Sequence, residues 1–192
     1  MERLKAILAS RNTNKLRELA AALPDWELDL LSASDYPAED GDSYFENARL
    51  KACFARGVTA SDAWVVGEDS GLEVAGLGGR PGLRSARYAG SGEDPNAKLL
   101  AELQGVLGPG RCARYVCELV GISPEGKEVR GTGVLEGSIA LEPLGSGGFG
   151  YDPVFLPDGE EHTVAELGDA WKRKASHRAR AARALGKRVR EL

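Results

Sequence analysis

Near the amino end a short apolar run, residues 4–9, gives way to the polar stretch Ser10-Arg11-Asn12-Thr13-Asn14-Lys15 and then to an amphipathic segment closed by Pro24. Leu16, Leu19, Ala20 and Leu23 fall on one helical face, so the spacing predicts a buried strand over 4–9 and a helix over 14–23. A strand that feeds a helix through a polar turn favours layered α/β architectures over helical bundles and sandwiches. The turn has chemistry of its own. Backbone N–H groups before a helix, followed by a cation at Lys15, form an arrangement suited to phosphate. Ordinary helix capping by Asn12 or Thr13 accounts for the same residues.

The alternation continues along the chain. Ser43-Tyr44-Phe45-Glu46 has the form of a capping box and opens a second helix, for which Gly57 is the expected stop. Asn47 and Lys51, four apart, share one face of it. The acidic loop Ala38-Glu39-Asp40-Gly41-Asp42 precedes this helix. Residues 63–67 read as a strand ending in Glu68-Asp69-Ser70-Gly71, where carboxylates at a strand end beside a turn glycine suit a hard cation such as Mg²⁺. Asp-Ser-Gly is also a common turn. Gly76-Leu77-Gly78-Gly79-Arg80-Pro81-Gly82 is expected to be a loop. Asp94-Pro95 opens a helix predicted to run to about Leu107. Strands over 112–122 and 127–136 form a hairpin, and Ala182, Leu185, Val189 and Leu192 mark a helical tail. These elements add up to an α/β fold with a mixed sheet, in a single domain of residues 1–192 without repeat or linker.

Composition excludes several classes of function. No apolar run is long enough to span a membrane. The amino end, Met1 to Ala9, lacks the length and cleavage pattern of a signal peptide. Cys53, Cys112 and Cys117 form a sparse, odd set without CxxC spacing, which suits reduced thiols and a cytoplasmic location. Two histidines and no HExxH argue against a zinc hydrolase. The net charge of −4 conceals an asymmetry: residues 171–192 carry nine bases and one acid, and the rest of the chain is net −12. A basic tail on an acidic body points to an anionic partner or to a solvated helix face.

Two glycine patterns mislead. Gly145-Ser146-Gly147-Gly148-Phe149-Gly150 satisfies GxGxxG, but Tyr151-Asp152-Pro153 and Pro157 forbid the helix that a dinucleotide fold needs. Residues 121–127 spell GxxxxGK, but Glu128 stands where a P-loop needs Ser or Thr. No GxSxG is present, and no cysteine has a convincing histidine partner in the pattern. There remain two cations on early helices (Lys15, Lys51) and carboxylates from two loops (Glu39, Glu68, Asp69). An aromatic-carboxylate segment, Phe149-Gly150-Tyr151-Asp152, and a Ser176-His177-Arg178 cluster in a basic helix complete the set. Polyphosphate needs cations, Mg²⁺ needs carboxylates, and a base needs an aromatic wall with polar edges.

In this order and spacing the segments resemble the inosine triphosphate pyrophosphatase family, enzymes that hydrolyse deaminated purine nucleoside triphosphates. The resemblance spans Ser10 to Lys15, Phe45-Glu46-Asn47-Ala48-Arg49-Leu50-Lys51-Ala52, Glu68-Asp69-Ser70-Gly71-Leu72 and Leu77-Gly78-Gly79-Arg80-Pro81-Gly82. It continues through Ser85-Ala86-Arg87-Tyr88, Gly147-Gly148-Phe149-Gly150-Tyr151-Asp152-Pro153 and Ser176-His177-Arg178. It implies an elongated mixed central sheet whose helices form two lobes around a cleft. Ser10, Arg11, Asn12, Thr13, Asn14, Lys15 and Lys51 would contact the triphosphate, with Ser70 beside it. Glu39 and Asp69 would hold Mg²⁺, and Asp69 would accept the proton of the attacking water. Phe149, Gly150, Tyr151 and Asp152 would receive the base, and Lys172, His177 and Arg178 would read its 6-oxo edge. Many relatives carry two aspartates where this chain has Glu68-Asp69. The resemblance further implies a cytoplasmic homodimer whose partner is a purine nucleoside triphosphate, not nucleic acid or membrane.

Overall fold

A computed structural model describes residues 3–60 and 62–192. Met1 and Glu2, within the amino end read above for a signal sequence, lie outside the described residues. The fold is mixed α/β. Six strands, β1 (Leu4–Leu8), β2 (Trp26–Leu30), β3 (Trp64–Val74), β4 (Cys112–Ile122), β5 (Glu128–Ile139) and β6 (Phe155–Pro157), make one sheet in the order β2-β1-β3-β4-β5-β6. β1 pairs in parallel with β2 (Ala6 opposite Leu28) and with β3 (Ile7 opposite Val65), and β5 pairs antiparallel with β6. The helices are α1 (Thr13–Ala22), α2 (Tyr44–Val58), α3 (Pro95–Glu102), α4 (Val164–Ala175) and α5 (His177–Arg190).

Local sequence explains most boundaries. The Asn12 side chain caps α1 by accepting from the N–H groups of Asn14 and Lys15. Ser43 caps α2 by accepting from Glu46 N–H, whereas the returning Glu46 carboxylate takes the N–H of Asp42, one residue earlier than a standard capping box. Asp94 caps α3, with Pro95 at its first position. Several expectations need correction. Gly57 lies inside α2, which ends at the Thr59 cap. α3 stops at Glu102, short of Leu107, and Gly105 adopts positive φ soon after. The Gly-rich segment before Gly82 is bracketed by two 3₁₀ turns, Ala75–Leu77 and Gly82–Arg87. Leu192 lies beyond α5 and is exposed instead of completing its apolar stripe. Most consequential, β3 does not end at Glu68: it runs on through Asp69, Ser70 and Gly71 to Val74.

The chain forms two compact units. The first comprises Met1–Asp69, Cys117–Gly133 and Ser176–Leu192; the second comprises Ser70–Val116 and Val134–Ala175. In the first, Leu8, Leu19, Leu119 and Leu185 anchor one apolar cluster and Ala48, Ala52, Val65 and Val120 another. Glycines, Gly67 and Gly133 most tightly, permit close helix–sheet approach in this unit. A Cβ on Gly67 of β3 would lie 1.9 Å from the Ala48 carbonyl of α2, and one on Gly133 of β5 would lie 2.0 Å from the His177 carbonyl of α5. These approaches bring the Lys51 face of α2 and the start of α5 to the strands. The second unit packs around Leu72, Leu99, Leu103, Tyr115, Phe155 and Val164.

Candidate active site

Charge converges in the first unit around Glu68 and Asp69, successive residues of β3. Glu68 is almost wholly buried, at 1% exposure. Its Oε2 meets the Lys15 ammonium of α1 at 2.5 Å. Its Oε1 accepts from Arg178 Nε at 3.2 Å and Nη2 at 3.1 Å, both from α5, and from the buried Cys117 thiol at 3.7 Å. Burial alone would raise the Glu68 pKa, but the charges of Lys15, Arg178 and Lys51 outweigh it and hold the carboxyl well below the usual range. Burial, followed by the Glu68 charge, raises the Cys117 thiol well above its usual value.

Asp69 is set differently. Its Oδ1 lies 3.3 Å from Lys51 Nζ, and its Oδ2 accepts from Asn47 Nδ2 at 3.1 Å. Burial raises its pKa against the pull of Lys51, and the neighbouring Glu68 charge adds to the rise. Lys51 reaches three oxygens from α2: Asp69 Oδ1, the Glu68 carbonyl at 3.0 Å, and Glu39 Oε1 in a close ion pair. Burial works to lower the Lys51 pKa, yet Asp69, Glu68 and Glu39 together raise it. Two neighbouring carboxyls are thereby separated in character. Glu68 is a locked anion, and Asp69 is a carboxylate with a heightened appetite for a proton.

This geometry also tests the cation expectation. Glu39 and Asp69, thirty residues apart in sequence, direct oxygens at the same Lys51 ammonium, so both face a single cation position. The described residues contain no cluster of three or more Asp, Glu, His or Cys suited to a metal. Two hard oxygen donors without a complete protein cage fit Mg²⁺, which commonly combines one or two carboxylates with substrate phosphates.

The polar loop after β1 is held by its own side chains. The N–H of Asn12 goes to Ser10 Oγ, and those of Asn14 and Lys15 go to the Asn12 side chain. Local turns and capping thus engage the amides of Asn12, Asn14 and Lys15. Arg11 turns outward to the Ser34 carbonyl and stacks 4.8 Å over Tyr36, and Thr13 is exposed. Lys15 is the loop's contribution to the charged cluster. At the α5 start, Ser176 caps the helix by accepting from Ala179 N–H, and His177 is buried. Arg178, expected at a base edge, has its guanidinium between Glu68 and Glu18 of α1.

The second unit gathers the remaining expected residues, with Ser70 entering it half-buried on β3. Lys172 of α4 pairs with Asp152 at 2.7 Å, both nearly excluded from solvent, and its ammonium lies 4.8 Å over the Phe149 ring. Asp152 Oδ2 also accepts from Phe149 N–H at 2.9 Å, and Oδ1 accepts from Tyr115 at 3.5 Å. The Gly150 carbonyl accepts from Asn96, and the Tyr151 hydroxyl donates to the Ser85 carbonyl at 2.9 Å. Tyr151 is therefore a buried anchor, whereas Phe149 is half-exposed. The sequence places Asn47 on a helical face without a task and Tyr115 only in the alternation of a hairpin strand, and its pattern does not single out Glu18. The i, i+3 spacing of Lys15 and Glu18 was the available signal for Glu18.

A family model described as the Ham1 family matches residues 6–188. A dITP/XTP pyrophosphatase of Bdellovibrio bacteriovorus is 43% identical over 188 residues, covering 93% of this chain and 94% of the relative. One from Geobacter sulfurreducens is 44% identical over 185 residues, covering 92% of each. Among solved structures, a HAM1 protein from Coxiella burnetii aligns with a TM-score of 0.84 at 33% identity, over 98% of this chain and 100% of that one.

Proposed function

The chain belongs to the Ham1 family and is a nucleoside triphosphate pyrophosphatase, and from that premise we propose that it hydrolyses ITP, dITP and XTP to the monophosphate and pyrophosphate with Mg²⁺. The observation that carries the reading is the Asp69–Lys51–Glu39 arrangement: a proton-hungry carboxylate, a buried ammonium and a second carboxylate around one cation position. Glu39 and Asp69 would hold the Mg²⁺, which neutralises phosphate charge when bound. Asp69 takes a proton from the water whose oxygen bonds to the α-phosphorus. The bond from that phosphorus to the bridging oxygen breaks, and pyrophosphate leaves with the electron pair. Lys15 and Lys51, resting on carboxylates in the absence of substrate, transfer their charge to the leaving group.

Base selection is assigned to the second unit, with Phe149 as the aromatic wall and Lys172 as the donor to a 6-oxo group. Asp152 orients Lys172 by its 2.7 Å pair. An adenine amino group offers a donor to a donor there, where a 6-oxo group would accept. Arg178 serves this scheme by holding Glu68, and through it Lys15. The reading includes a cytoplasmic homodimer, consistent with the lack of any described helix long and apolar enough to cross a membrane.

Incubation with ITP and Mg²⁺ followed by product separation tests the reaction. IMP and pyrophosphate are expected, and IDP with inorganic phosphate would refute it. Asp69→Asn should lower kcat by about 10² to 10⁴ while preserving the fold, the range for loss of a general base.

A further inference from the structure

We infer that Asn47 is a positioning residue that fixes Asp69 and the Glu39 loop against one another with a single amide whose direction cannot reverse. Asn47 lies in the first turn of α2 at 2% exposure. Its Oδ1 accepts from Gly41 N–H at 2.9 Å, and its Nδ2 donates to Asp69 Oδ2 at 3.1 Å. Gly41 N–H can only donate, so the amide oxygen must face it, and the NH₂ group must then face Asp69. The approach is tight: a Cβ on Gly41 would stand 2.8 Å from Asn47 Oδ1.

The acidic loop is tied to α2 at three places. Glu39 pairs with Lys51, Gly41 donates to Asn47, and Asp42 N–H donates to Glu46 Oε2 at 2.7 Å. Of these three helix residues, Asn47 and Lys51 also touch Asp69. Lys51 supplies charge to Oδ1, and Asn47 supplies direction to Oδ2. Asparagine suits the post because it presents one acceptor and one donor on opposite sides of a short stem. Aspartate would retain the acceptor for Gly41 and set a second carboxylate against Asp69. Alanine removes both bonds.

The inference rests on Asp69 acting as proposed above, so the test uses two readouts, steady-state hydrolysis and amide exchange at Gly41. Asn47→Asp should lower kcat about 100-fold, the scale of an ångström's misplacement of a reacting group, with KM within about threefold of the parent. Gly41 exchange in Asn47→Asp should stay near the parent rate. Asn47→Ala should lose similar turnover and also speed Gly41 exchange about fivefold, as expected when a hydrogen bond of about 1 kcal/mol is removed. The inference is overturned if Asn47→Asp keeps kcat within threefold, or raises KM alone, or if Gly41 exchange is unchanged in Asn47→Ala. Should Asn47→Ala fail to fold, the near-isosteric Asn47→Asp decides through its kcat. If the parent protein yields no pyrophosphate, the proposed reaction fails by itself, and the exchange pattern still judges the clamp.

Discussion

Replacing Arg178 with methionine separates a structural duty from a base-recognition one. The guanidinium is 3% exposed and donates Nε and Nη2 to Glu68 Oε1 and Nη1 to Glu18 Oε2. Methionine preserves much of the volume but leaves Glu68, at 1% exposure, with Lys15 as its one remaining ion-pair partner. Removing one partner of a buried pair costs about 3–5 kcal/mol, because the other charge stays behind without compensation. For a chain of this size that corresponds to a drop in Tm of about 6–20 °C. Urea unfolding at pH 7 gives the free energy, and calorimetry gives Tm. The pH dependence supplies a second check. Glu68 in the parent has a depressed pKa, so its stabilisation is complete above the ordinary value of 4.5 and is lost as pH falls through the folded value. In the variant, loss of the Arg178 charge raises the folded pKa above that of the parent, so protonation on acidification relieves part of the penalty. The stability gap should therefore narrow between pH 7 and pH 4. A loss under about 1 kcal/mol, or a gap that holds constant over that range, would refute the reasoning.

Three further outcomes follow from packing and burial. Gly67→Ala should lower Tm by more than about 10 °C or abolish soluble expression, since its Cβ would meet α2 backbone at 1.9 Å and 2.6 Å. Gly57→Ala, in the same helix region with nothing within 4 Å of a new Cβ, should instead raise stability by about 0.5–1 kcal/mol in the same melts. Titration of the native protein with a thiol reagent should label the exposed Cys53 and Cys112 promptly and Cys117 only after denaturation; rapid reaction of all three would contradict the burial that raises the Cys117 pKa.

What the sequence disclosed depended on the range over which each signal acts. α1 was legible because Leu16, Leu19 and Leu23 repeat at helical spacing and Asn12 caps within three residues. α2 was legible from Ser43 and Glu46 for the same reason. Its end was misjudged at Gly57 because a lone glycine costs a helix only about 1 kcal/mol, and packing of Ala48, Ala52 and Ala55 overrides that. β3 was cut short because Asp-Ser-Gly carries a local turn preference, which cannot register that the strand lies between β1 and β4 in the sheet. Arg178 was the hardest to place. Its partners Glu18 and Glu68 lie 160 and 110 residues away in sequence, so no spacing could reveal the pairing. The sequence marks Glu39, Glu68 and Asp69 as carboxylates suited to a cation, but the electrostatic division between Glu68 and Asp69 comes from burial and neighbours.

That division has a consequence for how an anionic ligand is received. The first unit's network contains three cations, Lys15, Lys51 and Arg178, and four carboxylates, Glu18, Glu39, Glu68 and Asp69. With these seven groups ionised their charges sum to −1, so a triphosphate gains little from them while each ammonium rests on a carboxylate. Attraction must instead come from exchange, in which Lys15 or Lys51 leaves a carboxylate for a phosphate. Lys15 can make that exchange because Arg178 stays behind on Glu68 and keeps part of its charge compensated. Lys51 can do so if the cation shared by Glu39 and Asp69 is replaced by another, the part the proposed Mg²⁺ would fill. The buried Arg178–Glu68 pair thus contributes to binding without touching the ligand: it lowers the cost of releasing Lys15.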